Sequence, residues 1–168
     1  MKKLILVAVA ALLALTAHAQ FYVGGQVGLR ASSGYTNLTI LPEVGYNLNE
    51  NMSIGTVIGY DFESWKDTET RGTFEINPYF RYSFLQLGHV SLFADAQLQL
   101  ALYNSHDKVF DTKDNSFSWG LGIAPGLAIP VSENLSFVGH LGRVGYYNDT
   151  FELGVNGNYF TVGAYYSF

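Results

Sequence analysis

Apolar and polar residues alternate along most of this chain. The clearest run extends from Phe74 to Phe84, where every second residue is aromatic, aliphatic or proline and the residues between them are Glu75, Asn77, Tyr79, Arg81 and Ser83. Successive side chains of a β-strand point to opposite faces. The run therefore predicts a strand with one apolar and one polar face.

The same alternation recurs, so that the sequence predicts eight strands in all. Eight is an even number, as single-chain bacterial barrels require, and runs of about 9–13 residues are long enough to cross a membrane at a tilt. The phase of the seventh strand becomes unclear at Arg143. The predicted strands are Phe21–Arg30, about Tyr35–Asn47, Met52–Phe62, Phe74–Phe84, Val90–Leu102, Phe117–Ile129, a seventh that begins at Leu135, and Phe160–Phe168.

The polar faces of these strands distinguish a membrane barrel from a soluble one. A secreted sandwich or lipocalin-like barrel turns its apolar face inward and its charged face to water. Here the polar faces are rich in Gly, Ser and Gln, and their charges are few and of both signs: Arg30, Glu43, Glu75, Arg81 and Asp95. Aromatic residues also gather toward the strand ends, as interface girdles do. The pattern predicts an all-β, transmembrane, antiparallel up-and-down barrel whose lumen is filled by polar side chains.

The connections between the predicted strands are of two kinds. Tight turns are predicted at 47–51, 85–89 and 130–134, and the first connection, 31–34, is also short. Longer connections that carry most of the charge are predicted at 63–73, 104–115 and 148–158. Because such barrels have short periplasmic turns and long outer loops, both termini are expected in the periplasm.

Three prolines form part of an internal repeat. Pro42, Pro78 and Pro125 all lie in the apolar phase of a strand that leads into a tight turn. Proline lacks an N–H group and is normally excluded from central strands, so β-bulges are expected where it occurs.

The N-terminus has the features of a secretory signal. Lys2 and Lys3 precede an uncharged run, Leu4–Leu15, and small residues at Ala17 and Ala19 suit signal peptidase. The run of about 12 residues is shorter than the roughly 20 that a helical span needs. The sequence predicts that residues 1–19 are removed after Ala19, which leaves one domain, residues 20–168.

Composition narrows the chemistry further. The chain has no Cys, which excludes disulfides, thiolate catalysis and a lipoprotein anchor. Its formal net charge of −5 becomes more negative without Lys2 and Lys3, so nothing attracts nucleic acid. The acidic residues of the charged connections lack calcium-loop spacing. No catalytic, cofactor-binding or metal-binding residues are predicted.

Together these features resemble the small eight-stranded barrels of the bacterial outer membrane, the OmpA and OmpX type within the porin family. The resemblance covers nearly the whole mature chain and rests on polarity patterns and end signals. It implies a location in the outer membrane of a Gram-negative cell, surrounded by lipid, and a monomer. It also implies that the barrel assembly machinery recognises the C-terminal strand that ends at Phe168. The expected role is structural or adhesive, through charged loops at the cell surface.

Two alternatives stay open: a narrow solute channel and a lipid-modifying enzyme. Barrel enzymes need a Ser nucleophile with a His base and an acid. His89 lies in a predicted periplasmic turn and His106 in an outer loop. His140 lies on a strand, and Ser136 on the same face is roughly 13 Å away, too far for a hydrogen bond. Ser118 on another strand is a remaining candidate partner.

Overall fold

The computed structural model describes residues 21–154 and 161–168, and the predicted signal segment lies outside them. Within these ranges no helix is long and apolar enough to cross a bilayer. The described residues form the strands β1 (Phe21–Ser32), β2 (Tyr35–Asn47), β3 (Met52–Trp65), β4 (Glu69–Leu87), β5 (Val90–Asp107), β6 (Thr112–Pro130), β7 (Leu135–His140), β8 (Arg143–Tyr147), β9 (Thr150–Gly154) and β10 (Thr161–Ser167).

These strands close into an eight-stranded antiparallel barrel, which confirms the predicted fold. Each strand from β1 to β6 pairs with the next along the chain. Both β7 and β8 pair with β6, so they are two segments of the seventh barrel strand. In the same way β9 pairs with β8 and β10 with β7, as segments of the eighth. The pairing of β10 with β1 closes the barrel and leaves Phe168 N donating to Phe21 O at 3.0 Å.

A β-bulge explains why the alternation fails at Arg143. In the register of β6 with β7, Gly126 lies opposite His140, whereas in the register of β6 with β8, Gly120 lies opposite Tyr147. The two registers differ by one residue, so the seventh strand has one residue more than its partner between β7 and β8. His140 and Arg143 therefore both face the lumen, although an odd number of positions separates them.

The predicted faces are otherwise confirmed. On β4, the side chains of Phe74, Ile76, Phe80, Tyr82 and Phe84 are exposed on the outer wall. Between them, Asn77, Tyr79 and Arg81 are buried in the lumen. On β10, Val162 and Tyr166 are exposed and Tyr165 is buried, and Phe168, directly after the strand, is also exposed. Phe160, predicted to begin this strand, lies outside the described residues.

The three longer connections predicted from the sequence are wrong in length. Strands β3 and β4 extend until only residues 66–68 connect them, and β5 and β6 leave only 108–111. The β8–β9 connection is 148–149, and residues 155–158 of the third predicted connection lie outside the described residues. Charged residues of the predicted connections instead lie on strands and pair with each other across them, as Arg71 does with Glu63 at 3.8 Å. The tips use Asp and Asn in the left-handed region, where these residues are tolerated: Asp67, Asp111, Asn148 and Asp149.

The barrel thus has two distinct ends. The terminal end carries the turns 48–51, 88–89 and 131–134 together with Phe21 and Phe168. The hairpin end carries the tips 33–34, 66–68, 108–111 and 148–149. Neighbouring tips are tied by backbone hydrogen bonds of 2.8 Å, from Lys66 N to Gly34 O and from Lys108 N to Thr68 O. The first three hairpins therefore form one connected rim.

Each proline of the repeat lies at an interruption of pairing with the following strand. The pairing of β2 with β3 omits Leu41 and Pro42, and that of β4 with β5 omits Asn77 and Pro78. The register is unchanged across both gaps, so the expected bulges are not present there. Only Pro125 lies opposite a bulge, where its carbonyl accepts from Leu141 N at 2.9 Å. An interruption of the pairing is enough to accommodate each proline, because proline lacks the backbone N–H group that would donate to the neighbouring strand.

Candidate functional site

Arg81 lies at the centre of a group of buried polar side chains in the lumen. Its Nε and Nη2 donate to the two carboxylate oxygens of Asp95, each at 2.7 Å, and Nη2 also lies 3.3 Å from Glu43 Oε1. The guanidinium carbon is 4.1 Å from the centre of the Phe93 ring. Paired strands bring these residues together, because Arg81 on β4 lies opposite Asp95 on β5.

Glu43 on β2 is the second centre of the group, and its side chain is completely buried. Tyr165 donates to Oε2 at 2.5 Å and Gln26 Nε2 at 3.2 Å, while Tyr79 donates to Oε1. Tyr22 hydrogen-bonds to Tyr79. A buried carboxylate needs such partners, since desolvation strongly disfavours its charged form.

His140 on β7 connects the group to the remaining wall of the barrel. Its Nε2 lies 2.8 Å from Asp95 Oδ2 and its Nδ1 lies 2.9 Å from Gln26 Oε1. Gln26 Oε1 also accepts from Thr161. Both ring nitrogens are therefore engaged within the lumen. We refer to Gln26, Glu43, Arg81, Asp95 and His140, with the rings of Tyr22, Tyr79, Phe93 and Tyr165, as the lumen cluster.

Glycine on the facing strands makes room for the large members of the lumen cluster. A Cβ atom on Gly55 would lie 2.6 Å from Tyr79 Cζ, and one on Gly126 would lie 2.6 Å from Phe93 Cε2. Both distances are far shorter than van der Waals contact. The glycines of β3 and β6 thus allow aromatic rings from neighbouring strands to fill the lumen, as expected for a barrel of this size.

A polar vestibule of about 410 Å³ lies above the lumen cluster, toward the hairpin end. Polar and charged side chains on its walls are hydrogen-bonded to one another. Thr39 donates to Asp61 at 2.8 Å, and Gln99 donates to Glu75 at 2.8 Å. Arg143 binds Glu152 at 2.5 Å and reaches Gln99 Oε1 at 3.3 Å. His140 and Gln26 belong to both the vestibule floor and the lumen cluster.

The five charged lumen residues predicted from the sequence separate into two sets. Glu43, Arg81 and Asp95 meet in the lumen cluster. Glu75 lines the vestibule instead, and Arg30 lies over the Tyr35 ring at 5.5 Å near the rim. Sequence reasoning missed the tyrosines as carboxylate partners, although Tyr79 and Tyr165 both lie in the polar phase of their strands. It also missed Arg143, because the bulge hides its phase.

The position of His140 does not match the geometry of an acyl-transfer triad. A catalytic His must reach a Ser hydroxyl and be oriented by an acid. Here the acid, Asp95, is present, but the second ring nitrogen faces Gln26 rather than Ser136 or Ser118. Among residues 21–154 and 161–168, no three His, Asp or Glu side chains are grouped as a metal site would require.

Comparison with known proteins supports the barrel fold. No curated protein sequence matches the chain. Among solved structures, the Neisserial surface protein A is 18% identical with a TM-score of 0.57, over 88% of this chain and 97% of that one. The N-terminal β-barrel domain of Pseudomonas aeruginosa OprF is 14% identical with a TM-score of 0.57, over 90% and 98%.

A third similar structure is a major outer membrane protein from Thermus thermophilus, 15% identical with a TM-score of 0.60, over 90% of this chain and 100% of that one. At these identities the structures show a shared fold. The model of the outer membrane protein beta-barrel domain matches residues 4–168. The chain belongs to this family, and it is an outer-membrane β-barrel protein.

Proposed function

We propose that the protein is a non-conducting barrel that anchors a rigid rim of hairpins at the cell surface. The observation that carries this proposal is the lumen cluster. It joins side chains from β1, β2, β4, β5, β7 and β10 across the interior by direct hydrogen bonds. An eight-stranded interior is just wide enough for side chains to fill, so such a cluster leaves no continuous aqueous path.

Planar-bilayer recording tests the absence of conduction. Refolded protein should give no large, long-lived openings, while a wide trimeric porin inserted under the same conditions serves as the positive control. Folding of each sample is verified by heat-modifiable gel mobility. Steady conductance on the scale of the porin would contradict a closed lumen.

We further propose that the hairpin end faces the exterior and both termini face the periplasm. Support comes from the length of β4, β5 and β6, which have 19, 18 and 19 residues and so extend the hairpin end beyond the roughly 9–11 residues that a membrane crossing needs. In outer-membrane barrels the side that extends farther is the outer one, and the periplasmic side has short turns. Because the chain has no Cys, an introduced cysteine is the residue that a maleimide will label. On intact cells, a 5-kDa polyethylene glycol maleimide should modify Ser33→Cys in a hairpin tip and spare Glu133→Cys in a terminal-end turn. The reverse pattern would invert the orientation.

The export step is part of the same proposal. Removal of residues 1–19 would leave Gln20 as the first residue of the mature protein. Intact-mass measurement of protein purified from outer membranes should show this loss. A mass that retains the Leu4–Leu15 run would mean that the segment is not cleaved after Ala19.

The enzyme and channel alternatives are less well supported by the lumen geometry. In the lumen cluster His140 is engaged by Asp95 and Gln26, which leaves the histidine no ring nitrogen with which to activate a hydroxyl. We propose a structural role for it, as a hydrogen-bonding partner of Asp95 and Gln26.

A further inference from the structure

The wall of the polar vestibule that β3 and β4 form carries two neighbouring carboxylates. Asp61 on β3 and Glu75 on β4 both line the vestibule. Gly59, which precedes Asp61 on the same face of β3, lies opposite Glu75 in the register. A Cβ atom on Gly59 would lie 2.9 Å from Glu75 Oε1, so the glutamate side chain extends from β4 over β3. The two carboxylates are therefore diagonal neighbours across paired strands, and their charges repel each other.

Neither of these carboxylates has a basic partner. Among the residues that the structure describes, no Lys, Arg or His side chain lies within ion-pairing distance of Asp61 or Glu75. Their hydrogen bonds come from neutral amide and hydroxyl groups. Residues 155–160, which lie outside the described ranges, contain no Lys, Arg or His. The vestibule therefore holds two partly buried negative charges that no side chain neutralises.

The arginines near this wall have other partners. The pairs are Arg71 with Glu63, Arg143 with Glu152, and Arg30 with the ring of Tyr35. In a cleft with walls of low dielectric constant, the field of unpaired charges is focused into the opening. The acidic wall therefore attracts cations into the vestibule.

Asn77 is an independent indication that a ligand binds at this wall. It follows Glu75 on the lumen face of β4, toward the lumen cluster, and it lines the vestibule although it is only 9% exposed. Within the described ranges, its Oδ1 has no hydrogen-bonding partner. Leaving a buried acceptor without a donor is costly. A ligand that donates an N–H group to Asn77 would remove that cost.

The spacing of these acceptors favours a ligand with two charges over one small ion. Diagonal neighbours such as Asp61 and Glu75 have Cα atoms about 7–8 Å apart. Asn77 lies about 7 Å further along β4, since two residues of a strand span that distance. A metal ion needs its oxygen ligands within about 2.0–2.6 Å, and in the described part of the chain no three His, Asp or Glu side chains are grouped in that way.

We propose that the vestibule binds a linear organic cation with an ammonium group at each end, such as an alkyl diamine. One ammonium binds Asp61, and the other binds Glu75 and donates to Asn77 Oδ1. Each ammonium has three N–H donors, and two positive charges neutralise the two carboxylates. The volume of about 410 Å³ is within the range of about 300–1,000 Å³ typical of ligand pockets. This binding site goes beyond the proposed anchoring role and does not depend on which end of the barrel is outside.

Isothermal titration calorimetry of the folded barrel, in a non-ionic detergent at fixed ionic strength, tests the proposal. The probes are 1,4-diaminobutane, 1-aminobutane and magnesium chloride. The diamine should bind one-to-one and about ten-fold more tightly than the monoamine, because its second ammonium makes a further charge-assisted hydrogen bond. Equal affinity for the monoamine would overturn binding at two points. Equal affinity for Mg²⁺, which has the same charge, would reduce the effect to unspecific attraction of cations.

Two carboxylate variants locate the diamine in the vestibule. Asp61→Asn and Glu75→Gln should each lower the affinity for 1,4-diaminobutane about ten-fold, since each removes a charged hydrogen-bond acceptor. The matched control is Glu133→Gln, which removes the same charge from a turn at the terminal end and should leave binding unchanged. Wild-type affinity in both vestibule variants, with normal heat-modifiable mobility, would show that the diamine binds elsewhere.

A third variant separates binding from stability. Asn77→Leu should lower the affinity for 1,4-diaminobutane, because it removes the acceptor at the floor of the vestibule. In the absence of diamine the same variant should be at least as stable to urea as the wild type, since it also removes a buried acceptor that has no donor. Unchanged diamine affinity in folded Asn77→Leu would contradict the assigned role of Asn77 Oδ1.

Discussion

Arg81 and Asp95 lie directly opposite each other on adjacent strands and share two hydrogen bonds of 2.7 Å. The same guanidinium reaches Glu43, so one arginine compensates two buried carboxylates. Removing one member of a buried ion pair is far more harmful than replacing the whole group by neutral residues. This asymmetry gives the first prediction.

Arg81→Met should destabilise the barrel by about 3–5 kcal/mol, because it leaves two carboxylates without their counter-ion. The triple variant Arg81→Met, Glu43→Gln, Asp95→Asn should recover most of that loss. Urea unfolding in lipid vesicles measures both. Equal stability of the single and triple variants would mean that the ion pairs contribute little beyond packing.

Gly126→Ala should destabilise the barrel by about 1–3 kcal/mol, since the new Cβ would clash with the Phe93 ring. Adding Phe93→Leu should relieve part of the strain. Gly28→Ala is a matched control, because the nearest atom to its Cβ, Thr39 Cβ, would be 3.4 Å away. If both glycine variants unfold alike, the ring contact is not what requires glycine at position 126.

Leu98→Arg should impair refolding into lipid vesicles far more than Gln97→Arg. Leu98 faces the outer wall, where an arginine near the midplane costs about 2–4 kcal/mol, whereas Gln97 lines the polar vestibule. Crowding in the lumen will penalise Gln97→Arg as well, so the comparison is relative. Equal yields of folded protein would argue against the assignment of the two faces.

Deletion of Phe168 should have a small effect in vitro and a large effect in cells. The deletion removes one backbone hydrogen bond, from Phe168 N to Phe21 O, and one outward-facing ring. If the terminal aromatic strand is recognised during assembly, as we propose, outer-membrane yield will fall much further than detergent refolding predicts. Heat-modifiable mobility and outer-membrane yield are the two measurements. Normal yield in cells would make Phe168 a girdle residue only.

The alternation of side chains predicted the wall of the barrel well because lipid on one side and a narrow lumen on the other impose opposite polarities on every strand. That rule alone places Ile76 on the outer face and Asn77 in the lumen, as the structure shows. The hairpin end was predicted less well, since charged residues occur both in loops and in strands that extend beyond the bilayer. Glu63 and Arg71, read as loop residues, are a cross-strand pair.

The lumen cluster could be predicted only in part. Alternation shows that Glu43 and Arg81 point inward, but the register between non-neighbouring strands decides which inward residues meet. Tyr165 contacts Glu43 although 122 positions separate them. The bulge before Arg143 has no residue signature strong enough to locate it, so the inward position of that arginine became evident only from the strand registers.

The proline gaps divide the barrel wall in a regular way. Pairing is interrupted between β2 and β3, between β4 and β5, and between β6 and the seventh strand, whereas the hairpins β1–β2, β3–β4 and β5–β6 are continuous at the prolines. These interruptions therefore separate successive copies of one hairpin unit. Amide protons beside Leu41 and Asn77 should exchange with solvent deuterium sooner than those across the hairpins. A barrel of this kind can gain strands by duplication of a whole hairpin. The added hairpin would include its own interruption of pairing and would keep the number of strands even.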